Sequence, residues 1–184
     1  MKKVACVVAA LCCVGFLSAQ KFVAGANAKT LVVYFSATGN TRRLARTAAQ
    51  ALGADIAEVV PKVPYSTADL DGYDPKSRSA RECNDASARP ELAGQIDVGG
   101  YDEIVLAFPI WWYNAPKIVW TFVESGDLAG KKVVPICTSG GAGPERALAD
   151  FRRLAPNADW RNGSYFPASA TAAEVKRFLE SALK

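Results

Sequence analysis

The stretch Thr30-Leu31-Val32-Val33-Tyr34-Phe35-Ser36-Ala37-Thr38-Gly39-Asn40-Thr41 decides the fold. Its first half is a continuous apolar run rich in β-branched and aromatic residues, the pattern of a strand buried on both faces in a parallel sheet. Its second half is mostly short hydrogen-bonding side chains around Gly39, which lets the backbone turn tightly. From Arg42 to Leu52, Leu44, Ala45, Ala48, Ala49 and Leu52 recur at helical spacing, and Gly53 is placed to stop that helix. Strand, polar turn and helix make one βα step. The helix begins on unpaired amides that carry partial positive charge, so a phosphate can satisfy both needs. A plain N-cap with no ligand reads equally well from these residues.

The same alternation continues downstream. Ala54 to Val60 reads as a second strand closed by Pro61, Glu103 to Pro109 as a third and Lys132 to Cys137 as a fourth, with Trp160 to Phe166 as the last. Helices are expected from Ala115 to Glu124, from Pro144 to Leu154 with proline in the first turn, and from Thr171 to Leu183. Thr171 and Glu174 stand at capping-box spacing. Regular strand–helix alternation predicts a doubly wound α/β fold: a five-stranded parallel sheet in a three-layer α/β/α sandwich. Residues 61–100 break the pattern. Their prolines, serines and aspartates predict a long loop with one short helix from Glu91 to Ile96, and a loop of that length is usually functional or mobile.

Upstream, Met1-Lys2-Lys3 followed by the apolar run Val4 to Leu17 has the charged n-region and short h-region of a signal peptide, and is too short to span a bilayer comfortably. The expected domain plan is a signal peptide at 1–19, with cleavage after Ala19 or as late as residue 28, and one globular domain at 30–184. The protein is thus expected to be exported, to a periplasm or outside the cell, with no stable membrane insertion of the mature form. The competing reading is a buried N-terminal element.

The whole chain of 184 residues is half apolar and carries a net charge of +4. Loss of Lys2 and Lys3 with the signal leaves it near neutral, and no basic run remains that would favour nucleic acid. There is no histidine. That removes Ser-His-Asp and Cys-His catalysis and any His-ligated metal or haem site, and no metal is expected. Cys6, Cys12 and Cys13 fall in the signal; Cys83 and Cys137 lack C-x-x-C spacing. Cys137, next to a loop of interest, reads as a small core residue more than as a redox sensor.

Three stretches carry the chemistry, each at the carboxyl end of a strand, where open α/β sheets bind ligands. The first is Ser36-Ala37-Thr38-Gly39-Asn40-Thr41. The second is Pro109-Ile110-Trp111-Trp112-Tyr113-Asn114, whose aromatics suit either a flat heterocycle or a sealed sheet edge or protein contact. The third is Thr138-Ser139-Gly140-Gly141, continuing to Ala142-Gly143-Pro144, where glycines allow close backbone approach. Gly141-Ala142-Gly143 also begins a G-x-G-x-x-G pattern, but Arg146 replaces its third glycine, and no P-loop motif occurs. Arg78, Arg81 and Arg89 either cover a site or are solvated, and Lys131-Lys132 reads as surface charge.

Together, S-A-T-G-N-T at 36–41, P-I-W-W at 109–112 and T-S-G-G at 138–141 resemble the flavodoxin family, in particular its bacterial branch with a P-I-W-W loop. Residues 79–90 are also similar to that branch, and the likeness spans 30–184. It implies the strand order 2-1-3-4-5, known from flavodoxin itself, with flavin mononucleotide (FMN) at the switch point. It further implies that Ser36, Thr38, Gly39, Asn40 and Thr41 hold the FMN phosphate, that Trp111 and Trp112 lie beside the isoalloxazine, and that Ser139, Gly140 and Gly141 line its other side. Two features depart from the family. Tyr113 stands where glycine frequently supplies a flexible peptide, and the near-neutral mature charge replaces the usual acidity, so steering toward basic partners is weaker. The leading expectation is an electron carrier serving a redox partner protein or a small acceptor. An FMN-dependent NAD(P)H oxidoreductase of quinone-reductase type and a non-catalytic binding module remain as alternatives.

Overall fold

The computed structural model describes residues 29–167 and 169–184. The signal-peptide reading, its cleavage sites and Cys6, Cys12 and Cys13 lie outside the described residues. In chain order the elements are β1 (Thr30–Tyr34), α1 (Asn40–Leu52), β2 (Asp55–Glu58), α2 (Arg78–Asn84), β3 (Glu103–Pro109), α3 (Lys117–Ser125), β4 (Lys132–Thr138), α4 (Glu145–Leu154), β5 (Asp159–Trp160), β6 (Ser164–Phe166) and α5 (Ala172–Ala182). The sheet is parallel in the order β2-β1-β3-β4-β5, and β6 also pairs with β4. This is the expected doubly wound sheet.

Strand periodicity explains the three layers. Val32 and Tyr34 of β1, Val105 and Ala107 of β3, and Val134 and Ile136 of β4 pack under α1 and α5. Their neighbours Leu31, Val33, Ile104, Leu106, Phe108, Val133 and Cys137 face α3 and α4 on the other side. Both faces are apolar, which is why these strands show no polar alternation. Local devices also form as read. Gly53 ends α1 in the left-handed region at φ +61°, and Thr171 and Glu174 make a reciprocal capping box on α5.

Three expectations need correction. The last strand is two short ones, β5 and β6, so the sheet has six strands. Opposite the break stands Pro135 of β4, which has no N–H to offer a ladder, and β5 and β6 pair on either side of it. No helix forms over Glu91 to Ile96. Instead Lys62 N donates to Glu91 O (2.8 Å) and Ala93 N to Val60 O (2.8 Å), so the backbone of this segment is spent on a bridge between Pro61 and Leu92. A helix forms earlier, as α2, preceded by a 3-10 turn at Ala68–Leu70. Finally, Lys131 and Lys132 are not free surface charge. Lys131 Nζ donates to Tyr101 O (2.7 Å), and Lys132 Nζ donates to Leu183 O (2.6 Å) and lies 3.5 Å from Glu103.

The three arginines of the long segment are also engaged. Arg78 pairs with Glu82, Arg89 grips Glu124 through two hydrogen bonds, and Arg81 donates to Lys76 O. None of the described helices is long and apolar enough to cross a membrane.

Candidate functional site

In the order β2-β1-β3 the direction in which successive strands are added to the sheet reverses, so the switch point lies between β1 and β3. Beyond the carboxyl ends of β1, β3 and β4, the three loops come together. The first follows β1. Ser36 Oγ accepts from Gly39 N (3.1 Å), and Gly39 sits at the α1 N-cap with φ +92°, a conformation that disfavours a side chain. No side chain caps α1, and its first turn holds no acidic residue. Thr41 and Thr138 share a hydroxyl–hydroxyl bond (2.8 Å) that ties α1 to the end of β4.

A crevice of about 260 Å³ runs along this helix start, lined by Ser36, Ala37, Thr38, Asn40, Thr41, Pro109, Ile110, Trp111, Thr138, Ser139 and Phe166. It adjoins a larger cavity of about 580 Å³, lined by Leu70, Gly72, Ser79, Ile110, Trp111, Trp112, Tyr113, Ser139, Gly140, Gly141 and Ala142. Ile110, Trp111 and Ser139 border both. A narrow, hydroxyl-lined end thus joins a broad end walled by aromatic rings and glycine backbone. No lysine or arginine lines either part.

The aromatic stretch forms a two-residue reverse turn. Trp111 N donates to Asn114 O (2.8 Å) and Asn114 N to Trp111 O (2.9 Å), while Trp112 and Tyr113 both take positive φ, +51° and +64°. Positive φ at both central positions is the type I′ pattern, which normally takes Asn-Gly. Left-handed backbone costs a residue with a side chain roughly 1–2 kcal/mol, and such conformations concentrate at functional sites. Tyr113 is 76% exposed and so has few contacts to lose. Tyr113→Gly is therefore expected to stabilise the apoprotein by about 0.5–1 kcal/mol once the added freedom of the unfolded chain is subtracted, seen as a higher urea midpoint. An unchanged or lower midpoint would mean that the turn relaxes without strain.

The two tryptophans differ in role. Trp111 packs edge-on against Phe35 (5.4 Å) and Tyr65 (5.1 Å), one side in the core and one side in the cavities. Trp112 is 39% exposed, and its indole N–H donates to Ser79 Oγ (3.4 Å). In the third loop, Ser139 spends its hydroxyl within the loop. It donates to Ala142 O (2.5 Å) and accepts from Gly141 N (3.0 Å), which bends the backbone against the cavity.

Of the expected site residues, Gly39 and Asn114 line neither cavity. Gly39 sets the start of α1. Asn114 anchors the turn, with Nδ2 donating to Asp150 Oδ2 of α4 (2.8 Å) and Oδ1 accepting from Ala115 N (2.8 Å). The other expected residues border the paired cavities. Leu70, Gly72, Ser79, Ala142 and Phe166 border them too and were missed. Ala142 sits inside an already suspected loop, but nothing in the local sequence marks the others. The rival dinucleotide turn at Gly141 fails electrostatically. Glu145 occupies the first turn of α4, where a pyrophosphate would need to sit. Cys137 is buried in the core, and burial pushes its thiol up to about 12. Cys83 is half-buried and also raised by burial. Both thiols are free, and no His/Cys/Asp/Glu cluster able to hold a metal occurs among the described residues.

A family model described as Flavodoxin matches residues 29–182. The chain belongs to the flavodoxin family. A crystal structure from Bacteroides uniformis ATCC 8492, described as a flavoprotein, is 41% identical with a TM-score of 0.79, covering 84% of this flavodoxin-family chain and 99% of its own. One from Bacteroides eggerthii DSM 20697, described likewise, is 36% identical with a TM-score of 0.81, covering 86% and 99%. The flavoprotein from Lactobacillus acidophilus NCFM, solved in complex with FMN, shares the fold at 18% identity and a TM-score of 0.64, over 86% of this chain and all of that one. No curated protein matches the chain significantly.

Proposed function

We propose that this flavodoxin-family chain binds FMN and serves as an exported electron carrier. The observation that carries the reading is that the two cavities adjoin, with Ile110, Trp111 and Ser139 lining both. The crevice fits a phosphomonoester: hydroxyls of Ser36, Thr38 and Thr41 surround an uncapped helix start that has no acidic side chain in its first turn. The broad cavity fits a tricyclic ring, with Trp111, Trp112 and Tyr113 on one side and backbone of Ser139 to Gly141 on another. FMN held by the Lactobacillus protein of the same fold supports the same choice of ligand.

When bound, FMN supplies one- and two-electron redox chemistry. The chain's own residues hold its phosphate, orient its ring and exclude water from its covered face. Residues 1–19 carry the export part of the proposal, checked by amino-terminal sequencing of the secreted or periplasmic form.

Titrating the apoprotein with FMN and following quenching of flavin fluorescence tests the cofactor. Binding at micromolar levels or tighter is expected. Combining Ser36→Ala with Thr38→Ala removes two hydrogen bonds to a charged group and should weaken binding roughly 100-fold. A double variant of unchanged affinity would overturn the phosphate assignment. Rapid oxidation of NADH or NADPH without an added reductase would overturn the carrier.

A further inference from the structure

Besides its ties to Asp150 of α4 and to Phe35, the turn 111–114 is contacted by one face of one short helix. Ser79, Glu82 and Cys83 of α2 stand at i, i+3 and i+4, so all three project from the same side. Ser79 Oγ accepts from the Trp112 indole N–H (3.4 Å), and Cys83 Sγ donates to the carbonyl of Trp111 (3.4 Å). Glu82 reaches the turn through an intermediary. Its Oε2 accepts from Tyr65 OH (2.6 Å), and the Tyr65 ring packs edge-on against Trp111. Arg78 completes the arrangement by pairing with Glu82 (2.6 Å), lying 4.0 Å from the centre of the Tyr65 ring and donating to Val63 O (2.9 Å).

The helix so engaged is no part of the sheet sandwich. It belongs to the 61–100 segment, and Leu70, Gly72 and Ser79 from that segment wall the larger cavity opposite the 139–142 loop. Its face meets Trp112, the first of the strained pair with positive φ, and Trp111 just before it. A turn that is costly alone needs external contacts to stay in place, and α2 supplies two directly and a third through Tyr65.

We propose that Ser79, Glu82 and Cys83 are positioning residues for the flavin site: α2 acts as a clasp on the Trp111–Asn114 turn, and occupancy of the larger cavity is coupled to docking of the clasp. The coupling to flavin rests on the FMN reading above, whereas the clasp itself is defined without ligand. Cys83 reports on it, since its thiol faces the turn, while Cys137 is core-buried and serves as an unreactive internal reference.

The test measures the rate of Cys83 alkylation by iodoacetamide in the full-length domain, with and without saturating FMN, alongside FMN affinity and the visible circular dichroism of bound flavin. FMN is expected to slow labelling at least tenfold. Glu82→Ala and Ser79→Ala should each speed labelling of the apoprotein, weaken FMN and alter the dichroism. Glu82→Gln, which keeps one acceptor oxygen for Tyr65 but gives up the ion pair with Arg78, should restore all three in part. If Glu82→Ala does not fold, Ser79→Ala removes a single bond and decides alone. Tight FMN binding with labelling unchanged overturns the coupling and leaves the FMN reading standing. Absence of FMN binding overturns that reading, and with it the coupling. Apoprotein labelling unchanged by every variant overturns the clasp itself.

Discussion

Trp111→Ala is expected to lower the stability of the domain by about 3 kcal/mol, the low end for a large aromatic removed from a core, and to weaken FMN roughly tenfold or more. The two losses share one side chain. On its inner side the indole closes a three-ring cluster with Phe35 and Tyr65, which brings together β1, the 61–100 segment and the turn after β3. On its outer side it borders both cavities. Urea unfolding of the apoprotein checks the first effect, with a shifted midpoint and an unchanged slope. Fluorescence titration checks the second. Trp111→Phe should recover most of the stability and part of the affinity. Trp112→Ala gives the contrast: a more exposed ring with one indole bond should cost little stability while still weakening FMN. Equal stability losses for the two alanine variants would contradict the division of labour between them.

Gly163→Ala is the second large effect, and it acts through contacts with backbone and proline rings. A Cβ at this position would lie 2.3 Å from the Pro135 carbonyl oxygen, 2.8 Å from the Pro135 ring and 2.7 Å from Pro144. Pro135 is inside β4, a strand paired on both edges, and cannot give way. Pro144 precedes α4 at the end of the glycine loop. The expected cost is about 2–3 kcal/mol, typical of an overpacked site whose neighbours are backbone and proline. Relief through Pro144 would also shift the loop from Ser139 to Gly143, so FMN affinity should fall together with stability. Thermal unfolding and the FMN titration measure the two. Stability equal to that of the parent would mean that the β5–β6 connection moves aside freely.

How much of this was legible depends on the range of the forces involved. The β1–turn–α1 step, the Gly53 stop and the Thr171–Glu174 box rest on interactions within a few residues, and each forms as the local pattern dictates. The apolar runs of β3 and β4 announce burial on both faces, which in turn selects a parallel sheet with helices above and below. Residues 61–100 follow another logic. The seven-residue α2 is too short to persist on propensity, and is held by Ser77 at its cap, the Arg78–Glu82 pair and Tyr65. A helix over Glu91 to Ile96 is locally reasonable, yet a backbone bridge to Val60 and Lys62 is available only once the chain has folded.

By itself the sequence determined the α/β alternation, the three loops at the strand ends, and the hydroxyl-rich helix start. Those features are written in spacing and in side-chain chemistry along a local stretch. Tertiary structure alone decided that the crevice and the aromatic cavity lie side by side on shared walls and that Trp112 and Tyr113 occupy a left-handed turn. It alone placed α2 against that turn, and it divided the last strand opposite Pro135. Each of these depends on surfaces 20 or more residues apart meeting at contact distance, and no local pattern encodes which distant surface will arrive.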